Sequence, residues 1–483
     1  MGPFGEVMEK RKSFVTILSN AGWLTGTRLA GNVVSVLLFV VLSRYFGPAG
    51  IGQYAYGLAI AGLIGAVVAF GLEDYAIRES SHLSLEARRL LLSRLLGTQL
   101  GIIALAVFGL LVFLLIARPS GEVVFIIILL SSYHVTLAVS WTLFVPAFSQ
   151  QSMAGPAITE FICRAGITGG VIMLVVGMHT SLSTALIPFP LGGLLLVVLA
   201  AASARRHNKS LTVRVHWHES TMIVRSVWPF AASLVVDTMY SRAGLIMLSL
   251  FIGDATAGIY ASSIKFLEVG AIPLVFLGFA VYPTLSILFK RSDQTSLTEA
   301  IDSFHRAMLI AGGLLAWALF FLVPLVLVPL LGESFAASVP VVRTLAILGV
   351  VMALDTTAVR LLFAMHLQIR MVKLQFLGLV LLLALNFIMI PRIGIIGAVA
   401  AMIVASTGTT LMYYIALQSR IKIMPLVKSA CLFFGLLGIA FLAGAASTWL
   451  SASPWLPSLT SLAMLAIGIL VTSFLPIRKL LQA

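Results

Sequence analysis

With 483 residues, 60% of them hydrophobic and only 10% charged, the chain carries far more apolar surface than a soluble domain can bury. Its formal charge of +14, from 31 Lys and Arg against 17 Asp and Glu, would suggest nucleic acid in a soluble protein. Here the basic residues crowd into short gaps between apolar segments, where anionic lipid is the better partner, so nucleic-acid binding is set aside.

A helix needs about 20 apolar residues to cross the hydrocarbon core, and the pattern predicts 14 such spans. In chain order they are 20–43, 52–77, 95–117, 123–145, 156–178 and 181–203, then 226–250, 256–288, 305–330, 338–363, 371–390 and 394–418, and finally 425–448 and 457–476. Met1–Lys12 is basic, but the apolar run behind it is too long for a signal-peptide core and reads as the first span. The eighth span exceeds one straight crossing and is expected to tilt, or to emerge after Pro283. The longest gap, Ala204–Thr221, falls short of the ~40 residues that fold unaided. All chemistry then belongs to the membrane or its surfaces.

Numbered alternately, the N-terminus and even gaps hold 22 of the 31 basic residues, from Lys10, Arg11 and Lys12 to Arg478 and Lys479. The odd gaps hold only Arg44, Arg118 and Arg392. The positive-inside rule then puts both termini in the cytoplasm, as an even span count requires, with the cytoplasmic (inner) membrane as the expected location.

The two sets of six resemble each other. After the first span the chain reads Gly47-Pro48-Ala49-Gly50-Ile51-Gly52-Gln53-Tyr54-Ala55, and after the seventh Gly253-Asp254-Ala255-Thr256-Ala257-Gly258-Ile259-Tyr260-Ala261. At a constant offset of 206, Gly47, Gly52, Tyr54 and Ala55 match Gly253, Gly258, Tyr260 and Ala261. The glycines permit a tight turn, and each Tyr is expected as an anchor at the membrane interface. Six crossings separate the copies, so both have the same orientation, a parallel repeat about an axis along the membrane normal. The organisation expected is an N-lobe over 1–203, a cytoplasmic linker over 204–225, a C-lobe over 226–418 and two C-terminal helices within 425–476.

Four stretches carry a family resemblance. They are Leu42-Ser43-Arg44-Tyr45-Phe46-Gly47-Pro48 through Tyr54, Phe70-Gly71-Leu72 leading to Arg78-Glu79, Leu331-Gly332-Glu333-Ser334-Phe335 through Arg343, and Pro391-Arg392-Ile393-Gly394-Ile395-Ile396-Gly397-Ala398. In this order and topology the chain resembles the Wzx-type oligosaccharide flippases (polysaccharide transport family) of the multidrug/oligosaccharidyl-lipid/polysaccharide (MOP) superfamily. The resemblance implies an all-α polytopic membrane protein with 14 transmembrane helices and a MATE/MOP-like fold, two six-helix lobes around a central cavity. It also implies that a polyprenyl-pyrophosphate-linked oligosaccharide is moved from the cytoplasmic to the outer leaflet by alternating access, for cell-surface polysaccharide biosynthesis.

Six cations lie inside the spans, where insertion scales put about 2.5–3.5 kcal/mol on each at mid-helix. Arg28 shares one face of the first span with Thr25, Asn32 and Ser35, the pattern of a wall facing a hydrated cavity, with snorkelling as its alternative. Glu160 and Arg164 are four apart, a local ion pair or a cavity site. Asp237 shares a face with Ser233, Tyr240 and Ser241, and Arg242 follows about 140° round the helix. Lys265 and Glu268 are three apart, Asp355 is internal, and Arg343 and Arg360 lie near span ends, within reach of headgroups. Arg forks bind phosphate oxygens bidentately and Lys adds a mobile charge, so Arg28, Asn32, Arg164, Arg242 and Lys265 are candidate substrate ligands. Asp237, Glu268, Glu160 and Asp355 are candidates for coupling to a proton or sodium ion.

Catalytic signals are weak. No P-loop pattern occurs, and His216-Trp217-His218 lacks further ligands. His134, beside Ser131, Ser132 and Tyr133, reads as a hydrogen-bonded helix packer, while Cys163 and Cys431 sit in apolar segments. No catalytic residue, metal or cofactor is expected, and the chain reads as a transporter rather than an enzyme. The alternatives are a lipid II flippase or multidrug/cation antiporter of the same superfamily, and a membrane-embedded polysaccharide polymerase or ligase. The intramembrane cations favour an anionic substrate, and a polymerase needs a large extracytoplasmic loop that the odd gaps lack. The expected partners are the lipid-linked oligosaccharide, membrane lipids, a proton or sodium ion, and a polymerase of the same pathway.

Overall fold

The computed structural model describes residues 3–80, 83–208, 213, 217–291, 294–418, 421, 435, 438 and 460–463. The predicted thirteenth and fourteenth spans, Cys431 and His216 therefore lie outside the described residues, apart from isolated positions. Ten described helices are long and apolar enough to cross a membrane. Two of them, Thr25–Ser80 with 56 residues and Gln368–Leu417 with 50, exceed one crossing. Each has an internal break, at Gly47 (φ 61°, ψ −167°) and at Ile393-Gly394 (Gly394 φ 58°, ψ −135°). Divided there, they supply the first, second, eleventh and twelfth spans, so the described residues carry twelve spans in the predicted order.

The breaks repeat. Gly47 and Gly253, the pair matched in sequence, both have positive φ, 61° and 122°, which a side chain would strain. Three further pairs follow: Arg118 (45°) with Gly332 (107°), Gln151 (56°) with His366 (59°), and His179 (51°) with Gly394 (58°). They lie 214, 215 and 215 residues apart. The internal repeat thus runs through both sets of six spans, with about eight residues inserted in the second set around its long second member.

That member, the eighth span, is two helices in place of one. It consists of Asp254–Gly270 and Ile272–Arg291, separated at Ala271, with Pro283 inside the second helix. Gly270 weakens the first helix, and Pro273 cannot donate to the turn before it, so the chain restarts there and not at Pro283.

The chain forms two compact units, residues 1–242 and 243–483. In the first, Leu92, Leu96, Phe144, Phe148, Cys163 and Leu196 join the third to sixth spans in one buried cluster. A second cluster, with Leu72, Leu95, Val145 and Val227, ties the second, third and fourth spans to the start of the seventh. The third span turns Leu105, Phe108, Leu115 and Ile116 outward, each more than half exposed, as a lipid-facing surface requires.

In the second unit the ninth and tenth spans cross backbone to backbone. A Cβ on Gly349 would lie 2.7 Å from the Ala316 amide nitrogen, and one on Gly312 2.7 Å from the Gly349 carbonyl oxygen. Lipid tails are as apolar as Leu side chains, so such close approach, not exclusion of water, is what holds membrane helices together.

Tyr54 and Tyr260 are not interface anchors. They are only 7% and 4% exposed. Each lies seven residues beyond its glycine turn, about two helical turns into the bundle, where neighbouring spans close over it.

Candidate functional site

The fifth span sets the site. Glu160 and Arg164 lie one turn apart on the helix Ala154–Ile172, and the carboxylate accepts a hydrogen bond from Arg164 Nη2 at 2.9 Å. The guanidinium then reaches the first span. At Gly31 a Cβ would lie 3.1 Å from Arg164 Nη1, so Arg164 rests against a stretch of helix kept bare of side chain. Ser35 donates back to the Gly31 carbonyl at 2.9 Å.

The fourth span closes a further side. The Tyr133 phenol lies within hydrogen-bonding reach of Arg164, and its ring is held edge-on by Phe189 of the sixth span, with centroids 5.5 Å apart. Tyr54 and His134 are both within electrostatic reach of Arg164 and of Arg242. His134 itself is committed to its own helix through Nδ1 and the Leu130 carbonyl, 3.0 Å apart, which fits a packing role. At the other end of the cluster, Glu73 interacts with the charges of Arg28, Asp74 and Glu160.

Four predicted residues, Arg28, Glu160, Arg164 and Arg242, are therefore linked within the first unit through Glu73, Tyr54, Tyr133 and His134. The site is not a bare cationic pocket, because acids stand among the cations. Arg164 keeps 30% of its side-chain exposure, so part of its donor fork remains accessible beside Glu160. Asn32 is exposed on the first span, and Asp237 is exposed on the seventh.

The remaining candidates belong to the second unit. Lys265 and Glu268 pair locally at 3.6 Å, with side chains 30% and 39% exposed. Asp355 accepts a hydrogen bond from Thr410 at 3.3 Å and lies in electrostatic reach of Tyr414. The Tyr414 hydroxyl is 3.4 Å from His305 Nδ1 and from the Leu354 carbonyl oxygen, so Asp355 sits in a packed polar network. Arg360 does not simply extend to headgroups. Its guanidinium stacks 4.1 Å from the centroid of Phe279, and Arg343 lies 5.6 Å from that of Phe320.

Sequence reasoning missed Glu73, Gly31 and the site role of Tyr54 and Tyr133. Glu73 follows Gly71, whose positive φ of 67° ends the second span proper and starts a new helix, Leu72–Ser80. Among the described residues no three His, Cys, Asp or Glu side chains gather to hold a metal ion.

Such a fold, with charged residues held inside membrane-spanning helices, defines an all-α multi-pass membrane protein. It is similar to a structure described as lipid II flippase MurJ in an inward closed conformation, with a TM-score of 0.74, 13% identity, and 95% of this chain and 99% of that chain covered. It is also similar to a multidrug resistance MATE family transporter of the MOP superfamily in an inward-facing conformation, with a TM-score of 0.63, 12% identity, and 83% and 96% coverage. By sequence, residues 17–289 match the polysaccharide biosynthesis protein family, more than half of the chain, and the protein belongs to that family. No curated protein matches it by sequence.

Proposed function

We propose that this protein is a flippase that moves a polyprenyl-pyrophosphate-linked oligosaccharide from the cytoplasmic to the outer leaflet by alternating access, with both termini in the cytoplasm. The observation that carries the reading is Arg164: a cation inside the membrane-spanning part of the first unit, seated on Gly31, held by Glu160 and still partly accessible. Membership of the polysaccharide biosynthesis protein family supports a glycan-bearing cargo. A pyrophosphate offers the oxygens that a guanidinium fork binds bidentately.

Glu160 and the pyrophosphate would compete for the Arg164 guanidinium, which makes Glu160 the coupling candidate that touches the proposed substrate site directly. Asp237, Glu268 and Asp355 remain further coupling candidates, with sodium as the alternative ion.

A lipid II flippase is the second reading, favoured by the likeness to MurJ over 99% of that chain. One fold hosts several cargoes, so the fold does not separate the two. The test is transport in proteoliposomes. Purified protein should move a fluorescent lipid-linked oligosaccharide to the opposite leaflet, and excess lipid II should compete poorly. Movement of lipid II alone would replace the first reading with the second, and movement of neither would end both.

A further inference from the structure

Arg360 is a second guanidinium seated on a glycine, and it has no carboxylate beside it. It belongs to the tenth span, four residues before the end of the helix Ile347–Ala364. Its Nε would lie 2.9 Å from a Cβ on Gly278 of the eighth span, and Thr356 Cγ2 would lie at the same distance. Thr356 and Arg360, one turn apart, thus straddle a bare stretch of the neighbouring helix. The Arg360 Cζ stands 4.1 Å from the centroid of the Phe279 ring, which covers one face of the guanidinium.

These contacts remove water without replacing its hydrogen bonds. Among the described residues the buried Nε has no hydrogen-bond partner, and no acid forms an ion pair with Arg360. Asp355, five residues earlier, lies about 140° round the helix and accepts from Thr410. The ring attracts the cation, but the N–H donors point along the edge of the guanidinium, in a plane the ring leaves open. Arg360 is half-buried and Phe279 is 55% exposed, so the stack stands at an open surface of the second unit.

The surroundings name the ligand. Phe279, Pro283 and Ile287 form an exposed apolar stripe on one face of their helix, a surface suited to hydrocarbon. Arg360 lies about 6 Å from the end of its own helix, where the apolar run gives way to headgroups. Held on Gly278 and Phe279, it does not extend to a headgroup, so the headgroup must come to it. A guanidinium edge takes two oxygens of one phosphate, and phosphate is the anion that a bilayer offers at this depth. We infer that Arg360, with Gly278 and Phe279, forms a site on the second unit for the phosphate of an anionic membrane phospholipid. The site involves neither Arg164 nor the cargo proposed for the protein.

The test is protection of arginines from phenylglyoxal in full-length protein in detergent, read residue by residue by peptide mass spectrometry. Arg360 should react in delipidated protein. Its rate should fall roughly tenfold as dioleoyl phosphatidylglycerol rises to about ten times its dissociation constant. Dioleoylglycerol, with the same chains and no phosphate, should leave the rate unchanged, and so should inorganic phosphate at matched concentration. Gly278→Ala pushes Nε off its seat and should remove most of the protection. An Arg360 that does not react without lipid overturns the site, because a group closed to the reagent is closed to phosphate. Equal protection by dioleoylglycerol or by inorganic phosphate overturns it, as does equal protection of every arginine in the chain. Protection by undecaprenyl pyrophosphate and not by phosphatidylglycerol also overturns it and makes Arg360 a cargo ligand. Protection that survives Gly278→Ala in folded protein removes the seat on which the site is built. The unaltered protein decides the question even if that variant does not fold.

Discussion

The two units repeat the same sequence of backbone breaks yet use glycine and charge differently. In the first, Gly31 leaves room for the movable end of Arg164, 3.1 Å from where a Cβ would sit, and an ion pair with a buried phenol beside it fills the space. In the second, Gly312 and Gly349 bring two backbones together, and the charges Lys265 and Glu268 form a looser, more exposed pair at 3.6 Å. Duplication has therefore preserved the path of the chain and not the chemistry. The first unit holds its cation where a ligand can compete for it, while the second ties the half-buried Asp355 into a network with Thr410 and Tyr414.

The largest effect should come from the second unit's helix crossing. Gly349→Leu forces a side chain against the backbone of Ala316, which cannot rotate away. Overpacking of this kind costs about 1–3 kcal/mol or more, and the yield of monodisperse protein should collapse. Normal yield and an unchanged thermal midpoint in detergent would show that the crossing is looser than described.

Arg164→Gln comes next. Charge-assisted hydrogen bonds contribute about 1.5–3 kcal/mol, so transport in proteoliposomes should fall roughly 10- to 100-fold while the protein stays folded. Arg164→Lys should restore only part of it, because the fork is lost. Full activity in Arg164→Lys would mean that a point charge suffices.

Gly31→Ala separates the two uses of glycine. Its added carbon meets a flexible guanidinium and not backbone, so the thermal midpoint should hold while transport drops by a few-fold as Arg164 is pushed aside. A loss of stability like that of the Gly349 variant would erase the contrast between the units. Smallest of all is Lys265→Ala. Partly exposed pairs contribute about 0–1 kcal/mol, so transport should stay within about threefold of the unaltered protein. A loss as large as that of Arg164→Gln would place a second anion site in the second unit.

The span pattern, the turn glycines Gly47 and Gly253 and the Glu160–Arg164 pair could all be read from the chain, because each depends on residues near one another in sequence. The other three pairs of breaks could not. Arg118 and Gln151 are not residues that choose positive φ, and His179 and His366 adopt it too seldom for the sequence to announce the turn. Tyr54 was legible as a matched residue and misleading as an anchor, since its burial depends on which spans surround it.

Membrane residence and helix order follow from the sequence alone, because about 20 apolar residues without charge have no other stable environment. Tertiary structure alone decided that Arg164 of the fifth span rests on Gly31 of the first beside Tyr133 of the fourth. No periodicity within one helix records which face of another it will meet. That choice is made by side-chain shape and close packing, once the bilayer has removed the difference between burying a residue in protein and burying it in lipid.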